Sequence, residues 1–201
     1  MRILRRDVLS TGAAALAFTG LARNVHAQTA PEAETYINEV PGYGPLVRDP
    51  NGLFDLPEGF EYQVISQGGE TMDDGLLVPG QFDGMGCFPL EGSRVALVRN
   101  HELTPKSRTH FNWGPGGFNQ ERLHLLDASK AYDTYKDGSV LPGGVTTLIY
   151  DLETRRTVSQ FLSLAGTATN CCGGATPWGS WLTCEETEAA PDIDNVTRQH
   201  G

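Results

Sequence analysis

The chain has 201 residues, of which 15 are basic and 25 acidic, for a formal net charge of −10. That balance excludes nucleic acid and an anionic membrane as partners, because both are held by clustered Lys and Arg. With 24 Gly and 12 Pro, the composition also argues against long helices and for short strands joined by frequent turns.

The first residues read as an export signal that takes no part in the fold. Arg5 and Arg6, followed by Asp7, Val8 and Leu9, form a twin-arginine pattern; an uncharged apolar run covers residues 12–22, and a cleavage site follows at Val25, His26 and Ala27. The run is too short for a membrane span, which takes about twenty residues, and no later stretch is a candidate. Residues 1–27 are therefore expected to be removed after export by the twin-arginine machinery, leaving residues 28–201 periplasmic or secreted. Their loss takes away Arg2, Arg5, Arg6, Arg23 and Asp7 and leaves 11 basic and 24 acidic side chains, near −13. The plain meaning of that acidity is solubility. The sharper one is a supply of oxygen ligands for a hard cation such as calcium.

Residues 28–50 are a polar, turn-rich lead-in. A strand is expected over residues 61–66, where Tyr62, Val64 and Ser66 alternate with Gln63 and Ile65. A loop of small and acidic residues follows over 68–80. Residues 82–88, F-D-G-M-G-C-F, read as a turn into a second unit, in which Gly92 and Ser93 open a strand over 94–99 and Asn100, His101 and Glu102 close it. An amide oxygen, an imidazole and a carboxylate are all ligand types, although a lone His more often packs or hydrogen-bonds. Residues 103–117 read as an open loop ending in Trp113 and a Gly-Pro-Gly-Gly run, suited to a flap over a site. Residues 119–135 carry the only helical leaning. Residues 145–151 and 157–164 flank residues 152–156 as a β-hairpin with one buried face.

Residues 170–186, N-C-C-G-G-A-T-P-W-G-S-W-L-T-C-E-E, hold three of the four cysteines and two adjacent carboxylates. Gly173, Gly174, Pro177 and Gly179 predict a tight loop, and residues 181–184 a short buried strand that delivers Glu185 and Glu186 at its end. Side chains alternate along a strand, so one of Glu185 and Glu186, and one of Cys171 and Cys172, faces any given site. The opening, strand and closing acids echo those of residues 92–102, which brings Glu102 and Glu186 toward one locus, as neighbouring propeller blades would. Cys87, Cys171, Cys172 and Cys184 allow three pairings; one disulfide that leaves a thiolate for metal and two disulfides that leave none both fit the residues.

The twin arginines, residues 82–85 (F-D-G-M), 97–102 (L-V-R-N-H-E), 143–148 (G-G-V-T-T-L) and above all 170–171 with 176–186 resemble the PhoX-type bacterial alkaline phosphatases across nearly all of residues 50–190. The resemblance implies an all-β fold, a partial β-propeller of short four-stranded blades behind a cleaved export signal. It also implies a phosphatase that binds iron and calcium and releases phosphate from small phosphate monoesters. By the same resemblance, Cys171 is the iron-binding cysteine, Glu185 and Glu186 the metal-bridging carboxylates, and Asn100 and Glu102 the ligands from a neighbouring blade. Cys172 departs from the family pattern, which has a small residue there, and Cys87 is also atypical. The remaining acidic ligands and a basic residue for phosphate are expected beyond Gly201. The competing reading is a calcium-stabilised exported propeller that binds or scaffolds without catalysis.

Overall fold

A computed structural model describes residues 42–105, 114 and 121–201, arranged in two compact units that divide between Gln63 and Val64. The export signal and most of the lead-in lie outside the described residues, as does most of the expected flap. In the first unit, β1 (Leu46–Val47) pairs antiparallel with β2 (Leu56–Pro57). The turn between them is organised by Asp49, whose carboxylate accepts from the backbone N–H of Asn51, Leu53 and Phe54 and from the Tyr62 hydroxyl at 2.6 Å. The Tyr62 bond, followed by the backbone donors, holds the Asp49 carboxyl down at about 2.

The second unit is a four-stranded antiparallel meander followed by a hairpin. The strands β3 (Phe82–Pro89), β4 (Arg94–His101), β5 (Gly143–Asp151) and β6 (Arg156–Thr167) lie in sequence order, and β7 (Asn170–Ala175) pairs with β8 (Trp181–Glu185). The expected all-β class holds for the described residues, and the predicted hairpin of residues 145–164 is β5–β6. β5 is buried from Gly143 to Leu148, as befits an inner strand covered on both faces. The outer edge of β6 is covered by short acidic and backbone caps. Asp73 exchanges bonds with Gln160 through its N–H and its carboxylate, Asp74 accepts from Leu162 N–H, and the N–H groups of Tyr132 and Asp133 donate to Ala165 and Gly166. Covering an edge in this way removes a template for pairing with other chains. Met72, Leu76 and Val78 bury their side chains beneath this cap against Leu126 and Leu162, each worth about 1.5–3 kcal/mol.

Five local expectations are corrected. Residues 82–88 form a strand rather than a turn, because Gly84 and Gly86 serve close packing: a Cβ at Gly84 would lie 2.6 Å from the Cys171 carbonyl oxygen, and one at Gly86 2.6 Å from the Trp181 ring. Residues 170–175 are likewise a strand, with Gly173 pressed on Trp181, and the tight turn falls over residues 176–180, where Thr176 and Ser180 bond each other and Gly179 sits at φ 83°. Residues 61–66 form no strand: Ile65 gives its carbonyl to the Thr157 hydroxyl and Ser66 its hydroxyl oxygen to Arg99, so these groups bond side chains rather than a ladder. The helical leaning of residues 119–135 yields, among the described residues 121–135, two single 3-10 turns, Leu123–Leu125 and Ala128–Lys130, and β8 alternates between half-buried and exposed rather than being buried.

Candidate metal and phosphate site

Asn100, at the end of β4, is wholly buried and fully bonded. Its Nδ2 donates to the carbonyls of Cys172 at 2.8 Å and Cys171 at 3.3 Å, while its Oδ1 accepts from Trp181 Nε1 and Thr183 Oγ1, both at 2.9 Å. The β7–β8 register breaks between Asn170 and Gly173, so Cys171 and Cys172 together oppose Cys184 in a bulge. Asn100 thus clamps both strands of the bulge from beneath. An amide oxygen accepts about two bonds, and this one already does, so the structure shows Asn100 shaping the cysteine bulge. Asn170 extends the clamp: its Nδ2 donates to Thr183 Oγ1 at 2.9 Å and its Oδ1 accepts from the Thr167 hydroxyl.

All four cysteines are free thiols, so neither disulfide pattern forms. Cys171 is half-buried, its Sγ 3.9 Å from the Cys184 carbonyl, and Cys172 is exposed. The Cys171 carbonyl rests on Gly84, which places this end of β7 beside Asp83 of β3.

The two adjacent acids at the end of β8 part company, as strand alternation requires. Glu185 turns inward, where its carboxylate accepts from Ala168 N–H at 2.7 Å and from His200 Nδ1 at 2.9 Å. His200 Nε2 in turn lies 2.9 Å from Asp133, and neither side chain touches solvent. A carboxylate at each ring nitrogen favours the charged form of His200. Burial pulls its pKa down, but the bonds and charges of Asp133 and Glu185 outweigh that and hold it above the ordinary value. Asp133 is held down at about 2: burial opposes its ionisation, but the Thr197 hydroxyl, His200 and the N–H groups of Thr134 and Arg198 prevail. Sequence reasoning missed His200 and Asp133, because no local pattern links positions so far apart.

Glu186 turns outward and is exposed, and its charge acts on Glu102 just past the end of β4. There Glu102 is half-buried and its carboxyl is held above the ordinary range, first by burial, then by a hydrogen bond with Asp83 and the negative charges of Asp83 and Glu186. Three acids from three strand ends therefore share one field. Among the described residues no finished cluster of three or more His, Cys, Asp or Glu side chains is disposed around a single point. His101, by contrast, is a structural neighbour: it bonds the Gly80 carbonyl at 2.9 Å and Thr146 Oγ1 at 2.8 Å, and burial depresses its pKa to about 4.

The family model of alkaline phosphatase PhoX matches residues 41–149 and 141–201. The chain belongs to that family. Membership gives the PhoX chain a phosphatase-type classification among hydrolases, and the match takes in both hairpins that end in Glu102 and Glu186. No curated protein and no solved structure matches the chain. No helix of the described residues is long and apolar enough to cross a membrane.

Proposed function

We propose that this chain forms part of an exported, metal-dependent phosphomonoesterase. The observation that carries the reading is that Asp83 and Glu186 both act on the half-buried Glu102 at the ends of two hairpins, with the backbone of the Cys171 bulge packed on Gly84, in a PhoX-family chain. Neighbouring negative charges such as those of Asp83 and Glu186 on Glu102 are stabilised by a cation, and oxygen donors of this kind suit calcium while a thiolate suits iron. Asp83, Glu102 and Glu186 would hold calcium or iron through oxygen and Cys171 would hold iron through sulfur, with further donors from elsewhere in the protein. Bound there, the metals would offset the negative charge of the acids and of a phosphoryl group under attack.

The remaining contributions belong to the chain itself. Asn100 fixes the bulge and hence the direction of Cys171; the Asp133–His200–Glu185 chain anchors the end of β8, so that Glu185 supports and Glu186 faces the site. In this reading the four-stranded meander is one propeller blade and β7–β8 begins the next, with the carboxylates toward the axis. The twin-arginine signal delivers the protein already folded to the periplasm or beyond.

The test is phosphate release from p-nitrophenyl phosphate at alkaline pH by the full-length exported protein. Activity abolished by chelation, restored by calcium with iron, and lost in Glu186→Gln is expected. Calcium binding without phosphate release would instead favour a non-catalytic, calcium-stabilised module, and chelator-indifferent turnover would rule the metal account out.

A further inference from the structure

The strand ends that carry Glu102 and Glu186 are built alike. β3 is entered from Gln81 at φ 50° and β7 from Thr169 at φ 55°. Residues with a Cβ avoid this left-handed region, and a β-branched one avoids it most, so Thr169 is held there by its surroundings. The carbonyl of each accepts from the acid that ends the partner strand: Glu102 N–H bonds Gln81 O at 2.8 Å, and Glu186 N–H bonds Thr169 O at 2.9 Å. Thr169 also donates its own N–H to Leu103 O at 2.9 Å. One strained residue thus reaches the neighbour of Glu102 on one side and Glu186 on the other.

Glycine would make the same turn without strain, and the described chain uses glycine at eleven other left-handed positions against three that are not glycine. Two of those three are the residues that receive the Glu102 and Glu186 amides, and the third, Arg155, lies in the β5–β6 turn.

We propose that Gln81 and Thr169 are positioning residues whose left-handed backbones fix the separation of Glu102 and Glu186, with Thr169 as the spacer between the two hairpin ends. The restricted backbone is what matters: a glycine can adopt the conformation but also many others, and so leaves the carboxylates less well placed before a cation arrives. The inference rests on the proposed cation site, because it assigns the residues that preorganise it.

The experiment uses the full-length protein and the variants Thr169→Gly and Gln81→Gly. Amide hydrogen exchange is followed by NMR in the presence of chelator, and calcium alone is titrated by calorimetry. Thr169→Gly should speed exchange at the Glu186 amide by about tenfold or more while leaving the unfolding midpoint unchanged or raised. Gln81→Gly should do the same at Glu102, and each should weaken calcium binding by roughly fivefold. Each variant reads its own amide, so the failure of one to fold leaves the other decisive. Unchanged protection and unchanged calcium affinity would overturn the proposal. Were the wild-type protein to bind no calcium, the cation reading would fall; loss of protection confined to Glu186 in one variant and Glu102 in the other would still support the positioning, and its absence would refute it.

Discussion

Replacing Asn100 by Ala separates a structural clamp from a metal ligand. The side chain is fully buried and makes four hydrogen bonds, to the carbonyls of Cys171 and Cys172 and from Trp181 and Thr183. The Thr183 hydroxyl still accepts from Asn170 Nδ2 but loses the acceptor of its own O–H, and the 3.3 Å bond to Cys171 is long, so the main bonds lost are those of Trp181 Nε1–H, the Thr183 O–H and the Cys172 carbonyl. Each buried polar group left unpaired costs about 1–3 kcal/mol, and the space left by the amide adds to that. Asn100→Ala should therefore lose about 3–5 kcal/mol, a large share of the roughly 5–15 kcal/mol that holds an ordinary domain folded. The assay is guanidinium unfolding of the full-length protein, with and without chelator. The clamp predicts the same loss in chelator, because none of the four bonds involves a cation. A loss below about 1 kcal/mol, or one that disappears when metal is removed, would refute the reasoning.

His101 supplies a pH dependence of known sign. Its folded pKa, about 4, lies below the unconstrained 6.5 because burial disfavours the charged ring. The unfolded chain therefore binds the proton first. The contribution is complete above pH 6.5 and is lost as pH falls toward 4, amounting to about 3 kcal/mol at most; His101→Gln should flatten that part of the stability curve, measured by unfolding at several pH values. Glu185→Gln and Glu186→Gln should behave oppositely. The first breaks a buried pair with His200 and should cost about 3 kcal/mol of stability, while the second should leave stability in chelator unchanged within about 0.5 kcal/mol but abolish phosphate release. Gly173→Ala should destabilise by about 2 kcal/mol or more, since a Cβ there would lie 2.4 Å from the Trp181 ring and 2.5 Å from the Leu182 carbonyl; thermal unfolding checks it. Thiol labelling of the unreduced protein in chelator should modify Cys87, Cys171, Cys172 and Cys184 alike, as mass mapping of the labelled peptides would show.

What the sequence revealed and what it hid divide along physical lines. The β5–β6 hairpin was legible because two apolar runs flank a polar turn and need no distant information. The approach of Glu102 and Glu186 was legible from matching openings and closings of two strands. The glycines misled: at residues 84, 86 and 173 they make room for a carbonyl and an indole from another strand, which local reading takes for turns. Asn100 looked like a ligand because an amide oxygen is a ligand type, and only the fold shows Trp181 and Thr183 already bonded to it. The partners of Glu185 were invisible for the same reason, since Asp133 and His200 come from segments joined only in three dimensions.

The claim on which the account rests is that Asp83, Glu102 and Glu186 meet in order to hold a cation. Elemental analysis of the purified full-length protein by plasma emission, run beside Glu102→Gln and Glu186→Gln, tests it most directly. Iron and calcium in the wild type, with calcium reduced in both variants, is the predicted result; a metal-free protein, or variants that retain the full complement, would contradict it.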